Sequence, residues 1–255
     1  MTDDSPRPAR DDAEAPPPAD SPATADPARR PAWRRVVGST WFHLAAALVI
    51  TGLVLSFVAK PYWVPSSSME QTLMPGDRVL VDRLAYLGGG PGAGDVVVFD
   101  AGDAWGIQQN TADSPLGAAL RWIGEVTGFG PTGPHTLIKR AVAVGGQTIA
   151  CCSDDGRMLV DGDPVDEPYV GSDYDFEPGV LDCDTEPRSL RCLPQTTVPE
   201  GAFAALGDNR TSSADSAALC RTPAPEDGCW RFGYDGEAVG RAAVILWPID
   251  RWSGL

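Results

Sequence analysis

TLIKRAVAV, residues 136–144, has the composition of a buried β-strand. The segment is short and rich in Leu, Ile, Val and Ala, and glycine- and proline-containing turns bound it. Four other segments share this pattern: RVLVDRL (78–84), DVVVFD (95–100), AFAALG (202–207) and RAAVILW (241–247). Short strands separated by Gly, Pro and Asp turns predict a mostly β domain built from antiparallel sheet.

The chain between these segments holds turns, loops and one predicted helix. Residues 115–126, PLGAALRWIGEV, space their Leu and Ile side chains along one helical face. Asp, Pro and Cys dominate residues 151–200, so we expect disulfide-pinned loops there. The run GGGPGAG (88–94) lacks the Lys-Ser/Thr pair and the following helix of a phosphate-binding loop, and it predicts a flexible loop instead.

The N-terminal part predicts a disordered tail and a membrane-spanning helix. Residues 1–32 contain eight prolines and almost no large apolar side chains, so they cannot bury enough surface to offset the entropy of ordering. Residues 41–59, WFHLAAALVITGLVLSFVA, carry no formal charge and are long enough to cross about 30 Å of hydrocarbon. Four arginines closely precede this run and only Lys60 closely follows it, which places the N-terminus in the cytoplasm.

These segments divide the chain into three parts. We expect a disordered cytoplasmic tail with a basic rim over residues 1–40, a transmembrane helix over 41–59 and an extracytoplasmic domain over 60–255. A cleaved signal peptide is the alternative, because it also places basic residues before an apolar core. Against it, the run is longer than a signal-peptide core, begins after a long tail and ends in bulky KPYW, so we predict an uncleaved cell-membrane anchor.

Charge and cysteine usage argue against two classes of function. The formal net charge is −15 and no basic stripe interrupts the acidic composition, which argues against nucleic-acid binding. All six cysteines follow the apolar run, which predicts disulfides, with Cys183–Cys192 and Cys220–Cys229 as short-loop guesses. Zinc is the alternative, but there is no C-x₂-C motif and His43 lies in the apolar run. We therefore expect no metal and no other cofactor.

A serine-rich segment and a lysine carry the candidate chemistry. PSSSMEQTLMPGD, residues 65–77, closely follows the apolar run, although serine-rich turns and helix caps are common. The chain has eighteen arginines and only two lysines, and Lys139 lies inside an apolar segment, where a charge is costly. A desolvated lysine can lose its proton, so Lys139 is a candidate general base for a serine, with an exposed edge-strand lysine as the alternative. A histidine-based triad is less favoured, because only His135 lies outside the apolar run and no G-x-S-x-G motif is present.

Four motifs follow one another in the exported part. PSSSMEQTLMPGD resembles the pattern S-x-S-M-x-P-T-L followed by G-D, with Gln71 in place of the proline, and AGDVVVF (93–99) comes next. LIKRAVAVGG (137–146) contains the lysine, and GDNRTSSADSA (207–217) resembles G-D-N-R-x-x-S-x-D-S-R, with Ala217 in place of the last arginine. In this order and behind one N-terminal span, they resemble the four motifs of type I signal peptidases, the bacterial leader peptidase family of Ser–Lys dyad serine proteases.

The resemblance implies a role for each matching residue. Ser68 would be the nucleophile and Lys139 the general base. Ser66 would lend its hydroxyl to the oxyanion hole beside the backbone N–H of Ser68, and Ser213 would hydrogen-bond the lysine amine and orient it. Three more residues would brace the site: Asp208, Arg210 and Asp215.

Strand geometry adds an expectation for Arg140. Adjacent residues of a strand face opposite ways, so Arg140 cannot share the environment of Lys139 and is expected to pair with an acid such as Asp208. Three motif positions depart from the family pattern. Gln71 replaces a proline, the lysine motif ends in GGQ instead of Pro-Gly-Asp, and Ala217 replaces the final arginine, which leaves Asp215 without its expected partner.

The resemblance implies a membrane-bound serine endopeptidase that cleaves N-terminal signal peptides from exported preproteins. Its substrates would carry small residues at the cleavage site, and its second partner would be the lipid bilayer. The implied fold is an antiparallel β-sheet catalytic domain with an apolar face on the bilayer. A non-catalytic, membrane-tethered β domain, a degenerate peptidase with a binding role, is the alternative that the three departures leave open.

Overall fold

The described residues of this computed structural model are 33, 37–102, 105, 136–222 and 225–255. The disorder predicted for residues 1–32 and the helix predicted for residues 115–126 fall outside them, so both stay predictions.

One helix of the described residues, α1 (Thr40–Phe57), is long and apolar enough to cross a membrane by its length and composition. None of its residues is buried by the rest of the protein. A helix that is apolar on all sides needs an apolar surrounding. The helix ends before residue 59, the predicted end of the span, because Ala59 begins the first strand. By contact density the chain divides into two units, Met1–Ala46 and Ala47–Leu255, and α1 crosses the division.

Eleven strands lie in the described residues, in this chain order: β1 (Ala59–Trp63), β2 (Arg78–Asp82), β3 (Val96–Asp100), β4 (Thr136–Val144), β5 (Thr148–Cys151), β6 (Met158–Val160), β7 (Asp163–Pro164), β8 (Leu193–Thr197), β9 (Ala202–Leu206), β10 (Gly233–Tyr234) and β11 (Ala238–Trp247). Seven of them form one sheet in the order β1-β2-β11-β3-β4-β9-β10, and four form a second in the order β7-β6-β5-β8. Every pairing is antiparallel. The predicted mostly antiparallel β fold is confirmed.

The five strands predicted from the sequence are β2, β3, β4, β9 and β11, and they form the middle of the larger sheet. β4 lies between β3 and β9, with Lys139 opposite Val97 and Arg140 opposite Leu206. Nearly all side chains of these three strands are buried. Polar side chains at the buried positions of β4, such as Lys139 and Arg140, are therefore removed from water, which raises the cost of leaving them unpaired.

The region predicted as loops, residues 151–200, also contains strands, and that part of the prediction is wrong. β6 and β7 form a hairpin whose two turn residues, Asp161 and Gly162, both have positive φ (53° and 85°). An Asp-Gly pair is a strong signal for this tight turn, but the strands that it joins are too short for a recognisable apolar pattern. β8 was missed because its sequence, LPQTT, is mostly polar and its burial only partial.

The cysteines form three disulfides. Cys183–Cys192 and Cys220–Cys229 are the two short-loop pairs proposed from the spacing, and Cys151 pairs with its neighbour Cys152. The sulfur atoms of Cys152, Cys183 and Cys192 lie within 4.8 Å of one another, a spacing that could suit a metal ion. All three are oxidised in disulfides, so none offers the thiolate that a metal ion requires.

Candidate active site

Ser68 lies in the tight turns between β1 and β2, and its side chain is buried. Its backbone is fixed from a distant part of the chain, because the N–H of Asn209 donates a hydrogen bond of 3.1 Å to the carbonyl oxygen of Ser68. The end of the turn is fixed by Asp77, which is 1% exposed, accepts a hydrogen bond from the N–H of Met74 and pairs with Arg251. The serine-rich segment is therefore a rigid, partly buried turn.

Lys139 reaches Ser68 from the middle of β4. Its Nζ lies 2.6 Å from Oγ of Ser68 and 3.1 Å from the carbonyl oxygen of Ile138. The lysine is 4% exposed and the serine 6% exposed, so water is largely excluded from their contact. The sequence prediction named these two residues, and the fold brings them together across 71 positions of the chain.

Burial changes the acidity of the lysine. Desolvation disfavours the charged ammonium and lowers the pKa of Lys139 from 10.5 to about 8, while the nearby carboxylates of Asp215 and Asp208 oppose this shift. A lysine with this pKa holds a useful fraction of neutral amine near physiological pH. Within hydrogen-bond reach of a hydroxyl, such an amine can act as a general base.

Ser66 lies at the open side of the pair. Its Oγ is 3.2 Å from Oγ of Ser68, and the residue itself is exposed. A hydroxyl at this distance from a nucleophilic oxygen can donate a hydrogen bond to an anionic oxygen that develops on a bound carbonyl group. The position is compatible with the oxyanion role that the resemblance implies.

Arg140 lies on β4 beside Lys139 and makes different contacts, as the strand geometry predicts. Its Nε and Nη2 donate to the two carboxylate oxygens of Asp208 at 2.9 and 2.7 Å. The carboxylate also accepts a hydrogen bond from the hydroxyl of Thr72, and the guanidinium packs 3.9 Å from the ring centre of Tyr169. This buried, bidentate pair links β4 to the segments that carry Ser68 and Asn209. The sequence prediction missed Thr72 and Tyr169, although Thr72 is part of the serine motif.

Arg210 is buried and fixes the loop that follows β9. Its Nε donates to the carbonyl oxygen of Gly207 at 2.9 Å, and its Nη2 pairs with Glu167 at 2.6 Å. The ion pair explains how a buried guanidinium is tolerated, since burial alone would favour its neutral form. Glu167 lies in a loop without a recognisable motif, so no sequence pattern predicts this contact.

Asp215 has a partner that the sequence prediction did not find. Arg221 donates from Nη1 to Oδ1 of Asp215 at 2.7 Å, and the two side chains are 5% and 0% exposed. The carboxylate also accepts hydrogen bonds of 3.1 Å from the N–H groups of Gly207 and Ala217. The expectation that Asp215 is left without an arginine is therefore wrong. Arg221 lies four residues after the motif position, where a fixed pattern does not search.

Ser213 does not make the hydrogen bond to the lysine amine that the resemblance implies. Its Oγ is buried and has no hydrogen-bond partner among the described residues. Gly207 lies against it, since a Cβ atom at position 207 would be 2.3 Å from Oγ of Ser213 and 2.5 Å from the carbonyl oxygen of Ser68. Gly207 therefore packs against both the hydroxyl of Ser213 and the backbone of Ser68.

Gln71 stands where the family motif has proline, and its backbone could not accept one. Its φ is 95°, whereas the proline ring fixes φ near −65°. Gly171 packs directly over it, because a Cβ atom at Gly171 would be 2.8 Å from Cβ of Gln71. The replacement thus belongs to a different local turn, and it removes no atom from the contact between Ser68 and Lys139.

Comparison with known proteins gives a consistent set of relatives. The family described as signal peptidase, peptidase S26, matches residues 37–247, a range that contains both Ser68 and Lys139. The signal peptidase I of Mycobacterium tuberculosis is 37% identical over 245 residues, which cover 91% of this chain and 80% of the relative. The probable signal peptidase I of Mycobacterium leprae is 35% identical over 84% of this chain and 78% of its own. The probable signal peptidase I-1 of a Synechocystis strain is 30% identical, with 83% of both chains covered.

Proposed function

This chain belongs to the signal peptidase family, peptidase S26, and we propose that it cleaves N-terminal signal peptides from exported preproteins with Ser68 as nucleophile and Lys139 as general base. Membership makes it a serine endopeptidase of the signal peptidase I type. The 2.6 Å contact between Nζ of Lys139 and Oγ of Ser68 is the observation that carries the assignment of the two roles.

The first half of the reaction forms an acyl-enzyme. Neutral Lys139 takes the hydroxyl proton of Ser68 while Oγ attacks the scissile carbonyl carbon, and the carbonyl oxygen becomes an oxyanion. When the intermediate collapses, the C–N bond breaks and the protonated lysine gives its proton to the leaving amine. The mature protein departs with a free N-terminus, and the signal peptide stays esterified to Ser68.

The second half releases the signal peptide. Lys139, neutral again, takes a proton from a water molecule whose oxygen attacks the ester carbonyl. Collapse breaks the bond to Oγ of Ser68, which takes the proton back from Lys139, and the signal peptide leaves with a carboxyl terminus. The hydroxyl of Ser66 and the backbone N–H of Ser68 stabilise the oxyanion in both halves, and loss of one such donor typically costs about 10²–10³ in rate.

The substrate is an extended segment that ends in small residues. Secretory cleavage sites have this A-x-A-like composition. An extended peptide can add to the edge of a sheet beside the site, which would present its backbone to Ser68.

The chain is a membrane-anchored enzyme, and α1 is the anchor. We place residues 1–40 in the cytoplasm as a tail, residues 41–59 across the bilayer and residues 60–255 outside as the peptidase domain, because arginines precede the helix and disulfides follow it. The bilayer also provides an apolar surrounding for exposed side chains at the end of β11 and beyond: Trp247, Ile249, Trp252 and Leu255.

Cleavage of a preprotein with the full-length chain in detergent or lipid tests the proposal. Ser68→Ala removes the nucleophile and is expected to abolish cleavage. Ser67→Ala is the matched control, because Ser67 is the neighbouring serine and its hydroxyl contacts Ser212 instead of Lys139. Equal cleavage by wild type and Ser68→Ala would refute the proposal. A wild-type protein that binds the preprotein without cutting it would support the non-catalytic alternative.

A further inference from the structure

We propose that Arg221 is a positioning residue of this active site, acting on Lys139 through Asp215, and that the Cys220–Cys229 disulfide holds it in place. This inference builds on the proposed function, since it concerns the state of the general base. The family's last motif places an arginine at the position of Ala217. This chain places the guanidinium on the same motif's aspartate from four residues later.

The geometry makes Arg221 the counter-charge of a buried carboxylate. Asp215 is 0% exposed. The two terminal nitrogens of Arg221 face its carboxylate, with Nη1 2.7 Å from Oδ1 and Nη2 3.4 Å from Oδ2. A carboxylate without water needs a cation or several donors to stay ionised. The backbone N–H groups of Gly207 and Ala217 supply two hydrogen-bond donors, and Arg221 supplies the positive charge. Its guanidinium also lies 5.6 Å from the ring centre of Tyr174.

Other arginines near this pair bind groups other than the Asp215 carboxylate. Arg210 pairs with Glu167, and Arg231 donates to the backbone oxygen of Asp215 at 2.9 Å. Arg140 is committed to Asp208, the second carboxylate that faces the lysine. Among the described residues, Arg221 is the one cation that contacts the Asp215 carboxylate.

The contact reaches the catalytic pair by two routes. The first is structural: Asp215 accepts the N–H of Gly207, which packs against the carbonyl oxygen of Ser68. The second is electrostatic: the Asp215 carboxylate raises the pKa of Lys139 against the lowering by burial. A guanidinium next to Asp215 weakens this effect of the carboxylate, so it favours the neutral amine that the reaction needs.

The disulfide fixes the chain on both sides of the arginine's loop. Cys220 immediately precedes Arg221 and is fully buried with Cys229, in a core cluster with Ala217 and Trp230. The N–H of Cys220 also donates to the carbonyl oxygen of Ala217 at 2.9 Å. Without the disulfide, the segment that carries Arg221 would lose more conformational entropy when the guanidinium binds Asp215. Formation of the Cys220–Cys229 disulfide is therefore required for the full assembly of the active site.

The chain permits a direct measurement, because it contains only two lysines. Selective isotope labelling of lysine gives two side-chain signals in NMR, and Lys60→Arg assigns them. In full-length Arg221→Gln, the pKa of Lys139 and the rising limb of kcat/KM against pH are both expected to move upward by about one unit. Arg221→Lys, which keeps the charge, is expected to return both towards wild type.

Two further variants separate this role from a general loss of stability. Arg191→Gln is the matched control, since Arg191 is an ion-paired arginine whose partner, Asp173, is not one of the carboxylates that raise the pKa of Lys139. It is expected to leave the pKa of Lys139 unchanged. Replacing Cys220 and Cys229 by alanine keeps Arg221 and is expected to shift the pKa in the same direction, with no further shift when Arg221→Gln is added.

The outcomes are distinguishable. A folded Arg221→Gln protein whose Lys139 pKa and pH limb equal those of wild type overturns this inference while Ser68-dependent cleavage still stands. The NMR titration needs no catalysis, so it tests the effect of Arg221 on Lys139 even if Ser68→Ala shows that the proposed reaction is wrong. If Arg221→Gln does not fold, the cysteine variant decides, and an unchanged Lys139 pKa there refutes the role of the disulfide.

Discussion

Gly207 and Ser213 lie so close that no side chain fits between them: a Cβ atom at position 207 would be 2.3 Å from Oγ of Ser213. On its other side the same atom would be 2.5 Å from the carbonyl oxygen of Ser68. The backbone that carries the proposed nucleophile is thus packed directly against the chain after β9, and its position depends on the absence of one methyl group.

Gly207→Ala is therefore expected to displace Ser68 and to reduce cleavage strongly. Overpacking of this kind typically costs about 1–3 kcal/mol of stability, which a denaturation midpoint would register. Gly88→Ala is the control, because no atom lies within 4 Å of the corresponding Cβ position. Wild-type activity in Gly207→Ala would show that the two segments move apart freely.

Lys139→Arg keeps the positive charge but removes the ability to lose a proton. We expect cleavage to fall by about 10²–10⁴, the usual contribution of a general base. Lys60→Arg, at the only other lysine, is expected to cleave like wild type. Activity of Lys139→Arg close to wild type would rule out the neutral amine as base.

The pH dependence of kcat/KM follows from the acidity of the same amine. Burial lowers the pKa of Lys139 to about 8, and below that pH the amine is protonated and cannot accept the proton of Ser68. Cleavage is therefore expected to rise with pH through this region. A profile that is flat from acid to alkaline pH, measured with one preprotein at constant ionic strength, would contradict the proposed base.

Restoring the family proline at position 71 is expected to harm this chain. Gln71→Pro forces φ away from 95° and must rebuild the turn between Ser68 and Thr72, so both stability and cleavage should fall. Gln71→Gly removes the strain of a side chain at positive φ and is expected to stabilise by about 1 kcal/mol. A thermal unfolding series of the two variants checks the prediction, and equal melting temperatures would refute it.

The sequence predicted the five central strands because each of them is a continuous, mostly apolar run of residues. β3, β4 and β9 are buried over most of their lengths, and β2 and β11 bury part of their side chains, so these strands carry their pattern in their own residues. The hairpin of β6 and β7 and the polar β8 depend on pairing with β5 instead, which local composition does not report.

The candidate site divides in the same way. Ser68, Lys139 and the pairing of Arg140 with Asp208 follow from motif spacing and strand alternation. Arg221 pairs with Asp215 from four residues beyond the motif position and next to a disulfide, and a linear motif does not report such a contact. The hydroxyl of Ser213 has no hydrogen-bond partner among the described residues, and motif position alone does not determine such a contact.

The pairing of β4 with β3 and β9 has a consequence for misfolding. If β4 slipped by one residue, every side chain would change faces. A slip in one direction would place Arg140, whose guanidinium never releases its proton, at the position beside Ser68, and a slip in the other direction would place Ile138 there. Such a molecule could keep its sheet and its charges and still lack catalytic activity. The register of β4 therefore decides which side chain lies beside Ser68.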